Sequence, residues 1–271
     1  MTESPSPSPE QPVLSDVRDG VATITLNRPQ AMNSLDVATK VALLDAVTGA
    51  AADPQVRCVV LTGSGRAFCV GQDLKEHVEV LARGTSDELF RTVPDHYNPI
   101  VRTLLSMEKP VVAAVNGVAA GAGASLAFAC DFRVLGHGGG FNLAFSGIAL
   151  SCDTGSSWTL PRLVGRAKAL ELLYFPRTIG SEESLELGLA TKVVPADQLM
   201  DEVRQMARQL AAGPTVSFGA IRRSVAFSAG HDLADSLAFE AEIMALTGST
   251  EDHRHAVDAF VAKQKPVFEG R

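Results

Sequence analysis

The 271-residue chain is 46% hydrophobic and 20% charged, a globular composition able to bury a sizeable core in one large domain or in a core with an appendage. Its net charge of −7 and pI near 5.4 argue against non-specific nucleic-acid binding, yet leave room for a locally basic cleft. Its apolar runs fall short of a membrane span, and Cys58, Cys69, Cys130 and Cys152, with no close pair, suit reduced cytoplasmic thiols better than disulfides or a zinc site.

Residues 1–12 are rich in Ser and Pro and lack the cationic start and apolar stretch of a signal peptide, so they read as a disordered tail. From Val17 to Asn27 the pattern predicts a hairpin turning at Asp19-Gly20, with Ala22, Ile24 and Leu26 alternating with threonines. A helix is predicted over 36–52, with Val37, Val41, Leu44 and Val47 on its apolar face and Asp53-Pro54 as its stop. A continuously apolar strand follows over 57–62, as in parallel sheets. The segment 84–94 is polar and irregular, and His96-Tyr97 reads as loop surface. A helix over 98–107 turns Ile100, Leu104 and Leu105 inward. It is followed by a strand over 111–115, a short apolar helix over 125–130 and a strand over 132–135. Strand, Gly-containing turn, helix, strand recurs at roughly forty to fifty residues, a spacing that suggests a coiled stack of units. After Gly165 helical periodicity covers 167–174, 182–187, 196–211, 233–246 and 250–263, with breaks at Pro195 and Gly213-Pro214.

Two turns carry the chemistry. Arg66 to Asp73 follows the strand Cys58–Leu61, and Asn116 to Ala124 follows Val111–Val115. Their small residues let the backbone approach a ligand closely. Brought together, they can aim two peptide N–H groups at one oxygen, an oxyanion hole for a thioester made from backbone alone.

From about Val13 to Phe268 the chain resembles the enoyl-CoA hydratase/isomerase, or crotonase, superfamily. The resemblance is carried by Asn27-Arg28-Pro29-Gln30-Ala31-Met32-Asn33-Ser34-Leu35, by Ala67 to Glu76, by Lys109 to Asp131, and by Ser181 to Val194 with its Gly188-Leu189-Ala190. It implies an α/β spiral of strand-strand-helix repeats over 13–195, then a helical trimerisation region over 196–271, assembling as a homotrimer or hexamer. It implies an acyl-CoA thioester as substrate, with no permanently bound cofactor and no metal. Carried over by position, Gln72 and Ala122 supply the two oxyanion N–H groups, Ala122 from a helix N-terminus. The resemblance puts Arg28, Ala31, Ala67, Gly71, Asp73, Leu74, Gly121, Phe145, Trp158, Phe260 and Lys263 against the substrate. Ala31, Ala67 and Leu74 fall where the backbone holds adenine and pantetheine, and Phe260 and Lys263 where a neighbouring subunit approaches coenzyme A.

The chain departs from the hydratase pattern at both glutamates, which fall on Ser125 and Phe145. A phenyl ring moves no proton, and a lone serine hydroxyl is a poor base. Asp153, in Cys152-Asp153-Thr154-Gly155, stands where some branches place a catalytic aspartate. The stretch Gly155 to Ala167 most resembles the 2-(1,2-epoxy-1,2-dihydrophenyl)acetyl-CoA isomerase branch. The dehalogenase branch needs a histidine before the second loop, and none lies between Tyr97 and Pro110. Burial among Phe141, Phe145, Cys152 and Trp158 is expected to raise the Asp153 pKa toward that of a useful base. Read without the resemblance, Asp-Thr-Gly-Ser is a plain turn.

Other readings remain open beside it. Gly123-Ala124-Ser125-Leu126-Ala127 has the look of a hydrolase nucleophile elbow, but Ser125 stands well beyond the strand end such an elbow requires. Gly121-Ala122-Gly123 lacks the third glycine of a dinucleotide fingerprint. Hydration with Asp153 activating water is the runner-up reaction, and non-catalytic acyl-CoA binding the third.

Overall fold

The computed structural model describes residues 11–84 and 89–271; most of the proposed tail lies outside them. Strands β1 (Val13–Arg18) and β2 (Val21–Leu26) form the expected hairpin, whose tight turn takes Asp19 to φ +50° and Gly20 to φ +74°. Strands β3 (Cys58–Gly63), β5 (Val111–Val115), β7 (Phe132–Gly136) and β10 (Lys192–Val194) extend it in parallel, in the order β1-β2-β3-β5-β7-β10. A second sheet has the order β4-β6-β8-β9, from Ala67–Cys69, Val118–Ala120, Gly140–Asn142 and Thr178–Gly180. From β3 to β8 consecutive strands alternate between the sheets. That alternation is the predicted spiral.

The second-sheet strands correct one expectation. The two Gly-containing turns do not leave Cys58–Leu61 and Val111–Val115 directly; each is reached through a three-residue strand, β4 or β6, too short to show periodicity. These two strands pair in parallel, Ala67 beside Val118 and Cys69 beside Ala119. Both chains therefore leave the sheet side by side and in the same direction. The first enters helix α2 (Leu74–Ala82) and the second helix α4 (Ala122–Phe128). The latter begins earlier than the predicted 125–130.

Helix α1 (Val37–Ala52) is capped by the Asp36 carboxylate, which accepts from the Thr39 N–H at 2.8 Å. Its far end is closed by Lys109, whose ammonium donates to the Ala50 and Asp53 carbonyls at 2.8 and 2.6 Å. Its buried face is Thr39, Lys40, Leu43, Val47 and Ala50. Val37 and Val41 are exposed, so the face is rotated from the predicted one to bring Lys40 inward. Helix α3 (Asn98–Ser106) buries Ile100, Val101 and Leu104, with Leu105 on the outside.

Among the described residues three helices have no counterpart in the predicted pattern: α2, α5 (Ser156–Val164), which carries Pro161 inside it, and α9 (Thr215–Ser228), which has Pro214 at its N-cap. Helices α6 (Arg166–Tyr174), α7 (Ser181–Glu186), α8 (Leu199–Ala211), α10 (Leu233–Gly248) and α11 (Glu251–Val261) lie near their predicted positions. Helix α8 covers the outer face of the first sheet, packing Val203, Ala207 and Ala211 on Cys58, Val60, Val112 and Ala114.

Contact between the two loops depends on missing side chains. A Cβ added at Gly123 would overlap the Cys69 carbonyl, which is rigid backbone. Gly123→Ala is therefore expected to cost about 3 kcal/mol, the upper part of the overpacking range. The cost should read as a lower urea midpoint with unchanged slope.

Candidate active site

The first loop is fixed by a short parallel bridge. The Leu35 N–H donates to the Gly71 carbonyl at 2.8 Å and the Asp73 N–H to the Leu35 carbonyl at 3.1 Å. Gly71 holds φ +86°, and its N–H points back to the Cys69 sulfur at 3.5 Å. In the second loop Gly121, at φ +51° and ψ −123°, donates to the Asn142 carbonyl at 2.9 Å and accepts from the Ser125 N–H at 3.1 Å. Few L residues tolerate that backbone. Among the described residues, the Gln72 and Ala122 N–H groups take part in none of these bonds, and Ala122 is the first residue of α4, where such donors have no partner within the helix. The loops touch here: a Cβ at Gly71 would stand 2.8 Å from the Ala120 carbonyl oxygen and 3.3 Å from the Ala122 nitrogen.

Asp153 opens a tight turn. Its carbonyl accepts from the Ser156 N–H at 2.9 Å across Thr154 (φ +52°) and Gly155 (φ +79°). The turn packs on α3, because a Cβ at Gly155 would lie 3.1 Å from the Val101 methyl. Burial raises the Asp153 pKa above the ordinary carboxylate range, and the Thr154 hydroxyl, donating to Oδ1 at 2.8 Å, offsets part of the rise. Its charge reaches Tyr97, whose phenol is pushed up first by burial and then by the Asp153 carboxylate. Tyr97 thus stays protonated as a donor.

Tyr97 is 1% exposed, which corrects its reading as loop surface. It ends a π-helical turn, Val93–Tyr97, and its hydroxyl donates to Gln72 Oε1 at 2.6 Å. Lys40, with no exposed surface, donates to the same oxygen at 3.1 Å and to Thr92 Oγ1 at 2.8 Å, and pairs with Glu76 at 3.5 Å. Burial lowers the Lys40 pKa, and Glu76 opposes that shift. Beside this group lies a cavity of about 710 Å³ lined by Lys40, Gln72, Glu76, Thr92 and His96.

The remaining predicted residues sort into three groups. Arg28 and Asp73 meet each other as an ion pair at 2.9 Å, with Ser34 Oγ also donating to Asp73 at 2.9 Å. Burial pushes the Asp73 carboxyl up, but Ser34, Arg28 and the Lys75 N–H outweigh it and hold the pKa low. These two side chains brace the first loop. Ala31 (half-buried), Ala67 (buried) and Leu74 (exposed) flank that loop, and Phe145 is buried in the core. Trp158 is not buried as expected. It is 48% exposed, under the Arg162 guanidinium, in an apolar groove shared with Phe218 and Ile221 of α9. Phe260 is 83% exposed at the end of α11, and Lys263 is exposed just beyond it.

Ser125 is fully buried, with its hydroxyl on the Gly121 carbonyl at 3.1 Å and on Ser156 Oγ at 2.5 Å. It is a packing residue that ties α4 to α5. The Cys69 thiol, fully buried beside the first loop, is pushed up to about 12 by desolvation. Sequence reasoning missed Lys40 and left Tyr97 on the surface. The available signal was a lysine on the inward stripe of a helix whose facing segment carries Gln72 and Glu76. Among the described residues no cluster of His, Cys, Asp and Glu is arranged to hold a metal ion, and no helix is long and apolar enough to cross a membrane.

Comparison with known proteins places this geometry in a family. The profile of the enoyl-CoA hydratase/isomerase family matches residues 16–271. A 1,2-epoxyphenylacetyl-CoA isomerase of Escherichia coli (strain K12) is 39% identical over 259 residues, covering 96% of this chain and 98% of that protein. A crotonyl-CoA hydratase of Syntrophomonas wolfei is 31% identical over 94% of this chain and 97% of its own length. A crystal structure from Mycobacterium abscessus, described as an enoyl-CoA hydratase/isomerase, superposes with a TM-score of 0.92 at 42% identity, covering 96% of this chain and 100% of that one. With this sequence, this spiral and these two convergent loops, the chain belongs to the enoyl-CoA hydratase/isomerase family of enzymes and has its crotonase fold.

Proposed function

We propose that this enzyme stabilises the enolate of an acyl-CoA thioester between the N–H groups of Gln72 and Ala122, and moves a proton with Asp153 to shift a double bond. The observation that carries the reading is a pair of N–H groups, without a hydrogen-bond partner among the described residues, on loops that leave neighbouring parallel strands. Donors aimed at the thioester oxygen polarise the carbonyl and acidify the adjacent carbon, each donor typically being worth about a hundredfold or more in rate. The Asp153 carboxylate takes the proton from that carbon, and the electron pair delocalises onto the oxygen. The resulting carboxylic acid returns the proton further along the acyl chain. Desolvation brings Asp153 closer to the working pH, where a base is most effective.

The absence of a carboxylate at Ser125 and Phe145, and the engagement of the Ser125 hydroxyl with Ser156, favour isomerisation over two-glutamate hydration. The name of the Escherichia coli relative points the same way. The second reading, hydration of a 2-enoyl-CoA with Asp153 activating water, is supported by the hydratase relative. In either case Ala31, Ala67 and Leu74 border the coenzyme A moiety, while Arg28 and Asp73 act by bracing the loop.

The same reading divides the chain into a spiral core over 13–195 and an oligomerisation region over 196–271. Leu233, Met244, Phe260 and Val261 are each more than 70% exposed on α10 and α11, and these apolar surfaces support packing against further copies in a homotrimer or hexamer. Four free cysteines suit a cytoplasmic setting.

Incubation with crotonyl-CoA and with a 3-enoyl-CoA, followed by product mass and chromatography, decides between the two reactions. A product of unchanged mass from the 3-enoyl-CoA supports isomerisation, a gain of one water supports hydration, and binding without turnover refutes both. The kcat/KM of the wild type is expected to rise sigmoidally with pH through a pKa above the ordinary carboxylate range. Asp153→Asn should abolish that dependence and lower kcat at least about a hundredfold. The same variant is expected to melt higher than the wild type at neutral pH. A carboxyl whose pKa is raised by folding loses native stability as pH climbs through that value. The two proteins should converge below the unfolded carboxylate pKa of about 3.9. Sedimentation equilibrium should give a mass of three or six chains.

A further inference from the structure

A glutamine at position 72 carries a hazard. Its carboxamide oxygen is a strong acceptor on a flexible stem, attached to the residue whose main-chain N–H is proposed to meet the thioester. Folded back, that oxygen would accept from its own N–H or from that of Ala122, which lies against the neighbouring Gly71. The hole would then be filled from within.

In the structure every hydrogen-bonding edge of the carboxamide is directed elsewhere. Oε1 accepts from the Tyr97 hydroxyl at 2.6 Å and from the Lys40 ammonium at 3.1 Å, and Nε2 donates to Glu76 at 3.4 Å. Burying an ammonium is costly unless its donors are used. Lys40 is nonetheless completely buried, steadied by Thr92, Glu76 and the face of the Tyr97 ring at 5.6 Å. Tyr97 is delivered by a π-helical turn, a local distortion frequently found at functional sites. Two residues from separate elements thus converge on one side-chain oxygen of the oxyanion loop.

We propose that Tyr97 and Lys40 are positioning residues that clamp the Gln72 carboxamide, so that the main-chain donors of Gln72 and Ala122 stay open to the thioester oxygen. This deepens the oxyanion reading given above and rests on it. Neither residue needs to touch the substrate.

Acetoacetyl-CoA is the probe, because its enolate absorbs in the near ultraviolet and its ionisation when bound reports the strength of donors on the thioester oxygen. Wild-type enzyme is expected to increase its enolate fraction over that of the free compound. Tyr97→Phe, which keeps the ring and removes one donor, should lower the bound enolate equilibrium and kcat by about tenfold, with KM changed by less than about twofold. In a Gln72→Ala background Tyr97→Phe should have no further effect, because the oxygen that needs restraint is gone. Lys40→Met is expected to follow the same pattern, and it decides the matter if Tyr97→Phe does not fold. Equal losses in both backgrounds, or no loss in either, overturn the clamp. A wild-type protein that fails to promote ionisation of the bound probe overturns the oxyanion reading beneath it.

Discussion

Parallel pairing of β4 with β6 is the constraint on which the site depends. Three residues on each side fix the direction and spacing of two chains as they leave the sheet. Everything proposed for the thioester oxygen uses main-chain N–H groups, which have no rotamers to search and are already oriented before a ligand arrives. Glycine at positions 71 and 123 then lets the loops close to backbone contact. The price is rigidity of sequence: a methyl group at either position meets peptide atoms that cannot yield.

Around this scaffold the chain repeatedly uses desolvation. The same lack of water that raises the Asp153 carboxyl also lowers the Lys40 ammonium and keeps the Tyr97 phenol protonated. Asp73 goes the other way, because Ser34, Arg28 and a helix N–H together outweigh its burial. Two aspartates of one site are thereby separated in function by environment. One is held firmly ionised and braces a loop, and the other is tuned toward proton transfer.

Legibility in the sequence followed the length and chemistry of each feature. The hairpin, α1, the long parallel strands and most C-terminal helices have enough residues for a period to show. The strands at 67–69 and 118–120 do not, so the second sheet was invisible even though its glycine-rich exits stood out. Helix α5 was hidden by Pro161 and the glycines on either side of it, and α9 by Gly213-Pro214. Asp153 reads locally as a turn residue, and the turn exists; its candidacy as a base came from the resemblance. Lys40 and Tyr97 escaped because a helix lysine normally faces water. Here partners far along the chain, Gln72 and Glu76 from one segment and Thr92 from another, make its burial possible, and no local pattern encodes such partners. Nearness to Asp153 in sequence predicts a buried Trp158, whereas the helix that begins at Ser156 leaves the indole half exposed in the groove it shares with Phe218 and Ile221.

Enoyl thioesters are Michael acceptors, and Cys69 stands immediately before the loop proposed to hold one. A thiolate there would add to the β-carbon and inactivate the enzyme. Desolvation pushes its thiol up to about 12, which keeps Cys69 in the poorly nucleophilic thiol form at neutral pH. Complete burial therefore gives this position chemical immunity toward the substrates proposed for the neighbouring loop.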